Sequence, residues 1–177
     1  SWQRRALVGL WILCLTLFVG VEGRFHLAKA RVLGADPAQL QAVGAHFIVG
    51  FRNLDELADL AERDAIAGVY VSRRNLRSID PVELSAALGQ LQAARRDRGQ
   101  PQLLVAADQE GGVVSHLSPP LTRQPSLGSL VDQGKASARE LHTYAELHGR
   151  ELSTLGINLN FAPVADEVTI ADLAVRG

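Results

Sequence analysis

Residues 103–112 read LLVAADQEGG, an apolar run that delivers Asp108, Gln109 and Glu110 into a pair of glycines. Carboxylates placed this way point to a binding or catalytic face, where they can accept hydrogen bonds from a ligand or act as acid, base or nucleophile. Gly111 and Gly112 let the backbone turn sharply and come close to a ligand. A second polar group of the same kind accompanies INLNFAPV (157–164), with Asn160 inside the run and Asp166 just after it. A carboxylate at a strand end can also do no more than accept backbone N–H bonds from the following loop. That plain role stands open for Asp108 and Asp166. For Glu110, which sits inside the turn, it is the favoured one.

Other residue combinations promise less. Ser115, His116 and Asp108 have triad residue types, but adjacent side chains on a strand point to opposite faces. No nucleophile elbow is present either. His142 and His148 are six apart, not the four of a helical metal pair, and structural histidines are expected. Cys14 is the single cysteine, which excludes a disulfide framework and a Cys-based zinc site. No metal and no cofactor is expected. With a net charge of −1 and no basic stripe interleaved with aromatics, no nucleic-acid partner is expected. Aromatics make up 5% of the chain, so ligand recognition falls to hydrogen bonds rather than to stacking.

The elements that must position these groups alternate in type. Asp36-Pro37 opens a short helix, an N-cap acid followed by proline at the first helical position. HFIVGF (46–51) reads as a buried strand. Asn53 with Glu56 has the form of a capping box, followed by apolar Leu57, Leu60 and Ala61. GVYVS (68–72) is a second strand. Asp80-Pro81 with Glu83 opens a helix with Leu84, Leu88 and Leu91 on one face, closed by Gly99. RRDRG (95–99) reads as its solvated end, with arginines that suit the helix dipole. QLLVAA (102–107) is the third strand. Ser137 and Glu140 form another capping box ahead of a stripe of Leu141, Ala145, His148, Leu152 and Leu155, ended by Gly156. INLNFAPV is the fourth strand.

Short strands that are apolar on both faces, alternating with helices, predict an α/β fold with a parallel sheet. An open doubly wound sheet and a (β/α)8 barrel both fit. The absence of G-x-G-x-x-G after the first strand weighs against a dinucleotide-binding sheet. Residues 36–177 amount to about 140 positions against the ~250 of a closed barrel, so a barrel would be present only as about its first half. In either architecture ligand sites lie at the C-terminal ends of the strands, where Asp108 and Asp166 stand.

The N-terminus is a separate unit. Arg4 and Arg5 precede the uncharged run ALVGLWILCLTLFVGV (6–21). A basic n-region before an apolar segment predicts a signal peptide or signal anchor over residues 1–23, with 24–35 as a linker. This apolar helix places the following domain outside the cytoplasm, secreted or held at the membrane by the segment itself. Basic residues follow it as well (Arg24, Lys29, Arg31), so charge sets the orientation only weakly.

AADQEGGVVSHL, then LTRQPSLGSL, then GRELSTLGINLNFAPVAD together resemble the N-terminal barrel of glycoside hydrolase family 3, within it the bacterial β-N-acetylhexosaminidases. The resemblance spans about residues 38 to 168 and implies a (β/α)8 TIM-type barrel. It implies a retaining exo-β-glycosidase acting on terminal N-acetylglucosamine of glycans or peptidoglycan fragments, through a covalent glycosyl-enzyme. The aspartate of D-Q-E-G-G, here Asp108, is then a clamp on sugar hydroxyls and not the nucleophile. Where the hexosaminidase branch often carries arginines after G-G, this chain has Val113 and His116, so His116 is either a substitute donor to the sugar or a plain loop histidine. Asn160, Asp166 and Glu110 are possible supports of the same face. The resemblance puts the nucleophilic aspartate, the histidine acid/base loop and a further sugar-binding arginine beyond Gly177. It therefore implies a fragment that is itself inactive. A non-catalytic, membrane-tethered sugar-binding relative is the alternative. A sheet protein that binds a phosphorylated ligand at the G-G turn is the unrelated one.

Overall fold

Each of the four helix starts marked in the sequence has a short polar side chain that can hold the first free N–H groups. In this computed structural model, which describes residues 2–163, Asp36 Oδ1 accepts from the amides of Ala38 and Gln39 at 3.0 and 3.2 Å. Asn53 Oδ1 accepts from Glu56 N at 2.8 Å. Asp80 Oδ1 accepts from Val82 N and Glu83 N at 2.8 and 3.3 Å. Ser137 and Glu140 make the full reciprocal box, with Glu140 Oε2 accepting from Ser137 N at 3.0 Å. The Ser137 hydroxyl, and after it the Ser137 amide, holds the Glu140 carboxyl below its usual pKa. Glu56 does not close a box in the same way, because its carboxylate turns to Lys29 Nζ at 2.6 Å.

The elements run α1 (Trp2–Leu33), α2 (Pro37–Gly44), β1 (Ile48–Gly50), α3 (Leu54–Glu62), β2 (Gly68–Tyr70), α4 (Arg73–Ser78) and α5 (Pro81–Asp97). They continue as β3 (Leu104–Ala107), β4 (Gln109–Gly111), β5 (Val114–Ser115), α6 (Leu127–Asp132), α7 (Ala138–Thr154) and β6 (Leu159–Asn160). The strands β1, β2, β3 and β6 form one parallel sheet in that order. This is the expected α/β architecture with a parallel sheet. Gly99 and Gly156 close α5 and α7 at φ +69° and +77°, a region that costs glycine little.

The core is built from the stripes that periodicity marks. Leu57 of α3, Leu84 and Leu88 of α5, and Leu152 and Leu155 around the end of α7 meet Val69, Val105 and Ile157 of the sheet. Each fully buried aliphatic side chain stabilises the fold by about 1.5–3 kcal/mol. The sheet and its helices therefore rest on these residues and not on surface charge.

Three elements differ from the sequence reading. The six-residue α4 follows β2 because Ser72 donates through N and Oγ to Asn75 Oδ1 at 2.9 and 2.7 Å, while buried Asn75 donates to the Phe51 carbonyl at 2.9 Å. D-Q-E-G-G is more than a turn, since β4 pairs antiparallel with β5 across it. α6 starts at Ser126, whose side chain accepts from Ser129 N.

Two further segments read differently in space. Arg95 of the expected solvated run is buried, with Nη1 on Asp64 Oδ1 at 2.9 Å and Nε on the Pro101 carbonyl at 2.9 Å. It staples α5 to the loop after α3. Residues 24–33, expected as linker, continue α1 without a break. They contain no proline, and the helix stops only at Gly34.

Candidate functional site at the strand ends

Asp108 directly follows β3, whose residues Val105, Ala106 and Ala107 are buried. The apolar strand thus carries the carboxylate to the C-terminal edge of the sheet. Its Oδ1 is buried and has no hydrogen-bond partner among the described residues. Removing a charged oxygen from water without a protein donor is unfavourable unless a ligand supplies the donor. Among the described residues, Oδ1 therefore caps no loop amide.

The neighbouring residue explains how Asp108 is held. Gln109 is buried, its Oε1 accepting from Leu117 N at 3.0 Å and its Nε2 donating to Ser118 Oγ at 2.7 Å. Its backbone is gripped from the next strand, where Asn160 Oδ1 accepts from Gln109 N at 3.0 Å and Asn160 Nδ2 donates to the Gln109 carbonyl at 2.9 Å. The amide of D-Q-E-G-G is a staple between β3, β6 and the loop after β5.

Tyr70 and His116 complete this side of the edge. Tyr70 ends β2, and its Oη lies 3.3 Å from His116 Nδ1. Burial and then the nearby charge of Asp108 push the Tyr70 phenol up from its ordinary pKa, so it stays neutral. Phe161 lies nearly parallel to the Tyr70 ring, at 14° with centroids 6.3 Å apart. An open groove of about 920 Å³ runs from Tyr70 and His116 past Arg52, Ser72 and Arg73 to the α1 residues Val21, Glu22 and Phe25. A carboxylate, a phenol and an imidazole on one edge suit the alternating donors and acceptors of a polyhydroxyl ligand.

Glu110 lies on a different side. With Gln109 and Asn160 it lines a second, mainly apolar groove of about 430 Å³ against Tyr144, His148 and Leu152 of α7. The Glu110 carbonyl accepts from Tyr144 Oη at 2.8 Å. The close approach that Gly111 allows is to the chain itself. A Cβ there would stand 2.3 Å from the Pro125 carbonyl oxygen and 2.6 Å from Tyr144 Oη. His148 is structural, with Nδ1 3.0 Å from Gln124 Nε2. Ser115 Oγ donates to the Gly112 carbonyl at 3.1 Å, which leaves no triad. Asp166 lies outside the described residues. Among the described residues no group of three His, Cys, Asp or Glu side chains could hold a metal ion.

The structure thus brings Asp108 and His116 together through Tyr70 and places Asn160 as the support of Gln109. Tyr70 and Gln109 are site residues that sequence reasoning passed over. Tyr70 had a signal, as the polar-tipped residue near the end of a buried strand.

A parallel sheet covered by helices, with a carboxylate, a phenol and an imidazole at its strand ends, defines an α/β domain with a candidate site on that edge. The model of the glycosyl hydrolase family 3 N-terminal domain matches residues 33–176, and the chain belongs to that family. It is 36% identical over 126 residues to a β-hexosaminidase of Neisseria gonorrhoeae, covering 67% of this chain and 33% of that protein. It is 37% identical over 121 residues to a β-hexosaminidase of Alkalilimnicola ehrlichii, at 66% and 33% coverage. The chain spans about a third of the length of these relatives. Among solved structures, a glycoside hydrolase family 3 β-N-acetylglucosaminidase from Paenibacillus superposes with a TM-score of 0.59 at 34% identity, over 70% of this chain and 23% of that one. A family 3 glycosyl hydrolase from Mycobacterium smegmatis gives 0.58 at 26% identity, over 78% and 40%.

Proposed function

We propose that this chain is the sugar-binding N-terminal part of a retaining exo-β-glycosidase, a β-N-acetylhexosaminidase acting on terminal N-acetylglucosamine of glycans or peptidoglycan fragments. The observation that carries the reading is the unpartnered, buried Oδ1 of Asp108 at the end of β3, in a chain of this family. A sugar hydroxyl supplies the missing donor. His116, tied to Tyr70, is a second contact on the same sugar, and Asn160 keeps the clamp in register through Gln109. Asp166 and Glu110 are supports of that face.

The sequential order β1-β2-β3-β6 supports a (β/α)8 barrel, because a doubly wound sheet reverses its order at a switch point. In this reading residues 36–177 are part of the barrel wall. The nucleophile and the acid/base are then supplied by chain beyond Gly177, and the 177-residue chain binds sugar without cleaving it. The apolar part of α1 is a signal peptide or anchor that places the domain outside the cytoplasm, supported by its length and composition.

The test compares two proteins on an aryl β-N-acetylglucosaminide. The full-length protein should hydrolyse it with retention of configuration, and the 177-residue chain should show no turnover above a heat-killed control. Turnover by the short chain would show that the catalytic groups lie within it. A full-length protein that binds N-acetylglucosamine but never cleaves would establish the non-catalytic relative instead.

A further inference from the structure

Glu22, Phe25, Lys29 and Leu33 are spaced three, four and four apart and so share one face of α1. That face is docked. Lys29 pairs with Glu56 at 2.6 Å, and the Leu33 carbonyl accepts from Arg63 Nη1 at 3.4 Å. Val21, Glu22 and Phe25 wall the same groove as Tyr70 and His116. Before Lys29 every described residue of α1 is exposed. The helix is thus held at its C-terminal end and bare over its apolar length.

Between Ala6 and Val21 the bare part is uncharged and apolar all round, and none of it is buried. A helix with no polar face must be covered, by protein or by lipid. The uncharged run Ala6 to Val21 extends about 24 Å at 1.5 Å per residue, and Arg4 and Arg5 before it are long enough to reach the far headgroups of a ~30 Å hydrocarbon layer. No proline interrupts α1 between Val21 and Leu33, so the membrane exit and the docked turns are one rigid rod. Phe25 lies about one turn, ~5 Å, beyond Glu22, and the headgroup layer is about that deep on each side. Arg52, Arg73 and Arg74 line the groove against Glu22 and Glu56, and Glu56 is already paired with Lys29. A basic rim suits the phosphates of an anionic leaflet.

We infer that the groove opens at the headgroup layer of a bilayer spanned by α1, so that it takes glycans displayed at the membrane surface. This rests on the anchor reading above and goes beyond it, because an anchor by itself leaves the groove free to face any direction.

The experiment uses the full chain with Cys14→Ser, in vesicles of phosphatidylcholine and phosphatidylglycerol. A fluorophore is attached at Arg74→Cys on the groove rim, or at Asp97→Cys at the end of α5, where the strands begin. Headgroup-attached nitroxide lipids should quench most of the Arg74 label and leave the Asp97 label near its lipid-free intensity. A flexible Gly/Ser insertion of about ten residues after Gly23 should uncouple the rod and remove the difference. Equal quenching of both labels in vesicle-bound chain without the insertion overturns the inference while the anchor stands. A chain that does not float with the vesicles overturns both.

Discussion

Asn160 holds Gln109 at both ends of one residue, accepting from its N–H at 3.0 Å and donating to its carbonyl at 2.9 Å. A side chain of β6 thereby sets the backbone directly after Asp108. Asn158 bridges two residues earlier in the chain, accepting from Val105 N at 2.7 Å and donating to the Leu103 carbonyl at 3.0 Å. The two asparagines make similar bonds, but only one of them lies beside the proposed clamp. Asn160→Ala and Asn158→Ala in the full-length protein should each cost about 1–3 kcal/mol of stability. Only Asn160→Ala should also lower kcat/KM of the folded enzyme. Equal kinetics in the two variants would remove Asn160 from the positioning of Asp108.

Asp108 itself separates clamp from cap. Its Oδ1 has no protein donor to lose among the described residues, so Asp108→Asn should not lower the melting temperature of the ligand-free protein, and loss of an unpaired buried charge should raise it. A charged hydrogen bond to a sugar hydroxyl contributes about 1.5–3 kcal/mol, so kcat/KM should fall about ten- to a hundredfold. Reduced stability with unchanged kcat/KM would make Asp108 a structural residue.

Gly111 and Gly134 test packing against conformation. Both have positive φ, +89° and +67°, where alanine costs about 1–2 kcal/mol. A Cβ at Gly134 meets nothing within 4 Å, while one at Gly111 overlaps the Pro125 carbonyl and Tyr144 Oη. Gly111→Ala should therefore destabilise by at least about 2 kcal/mol more than Gly134→Ala. Urea unfolding of the two variants measures the gap, and a gap near zero would show that the loop moves freely.

His148 links stability to pH. Its Nδ1 faces Gln124 Nε2, which also donates to the Tyr144 carbonyl at 3.3 Å. Nδ1 must therefore accept, and the proton of the neutral ring sits on Nε2. Burial lowers the His148 pKa, opposed by the charge of Glu151. The unfolded chain takes up a proton near pH 6.5 that the folded chain resists. The contribution of His148 is full above that pH and is lost as pH falls through the depressed folded pKa. Melting temperatures recorded from about pH 7.5 down to pH 5 should decline less steeply for His148→Leu than for the parent. Parallel slopes would assign the acid sensitivity to other groups.

What could be read from the sequence was local. Asp36, Asn53, Asp80 and Ser137 mark helix starts because each bonds an amide within three residues of itself. Gly99 and Gly156 mark ends because one backbone angle decides them. The parallel sheet was legible from apolar strands alternating with helices, and the strand-end position of Asp108 followed from it.

Tertiary structure alone decided the rest. A strand as short as β5 carries no period, so the hairpin across Gly112 appears only when its partner is in place. Arg95 looks like a solvated arginine until Asp64, thirty-one residues away, comes within 2.9 Å. Glu56 fits a capping box until Lys29 captures its carboxylate. Tyr70 and His116, forty-six positions apart, meet only because β2 and β3 pair in register and the β4–β5 turn folds back over the edge. Contacts within one turn of helix are set by neighbouring residue types, whereas contacts across the sheet depend on register, which the whole core sets at once.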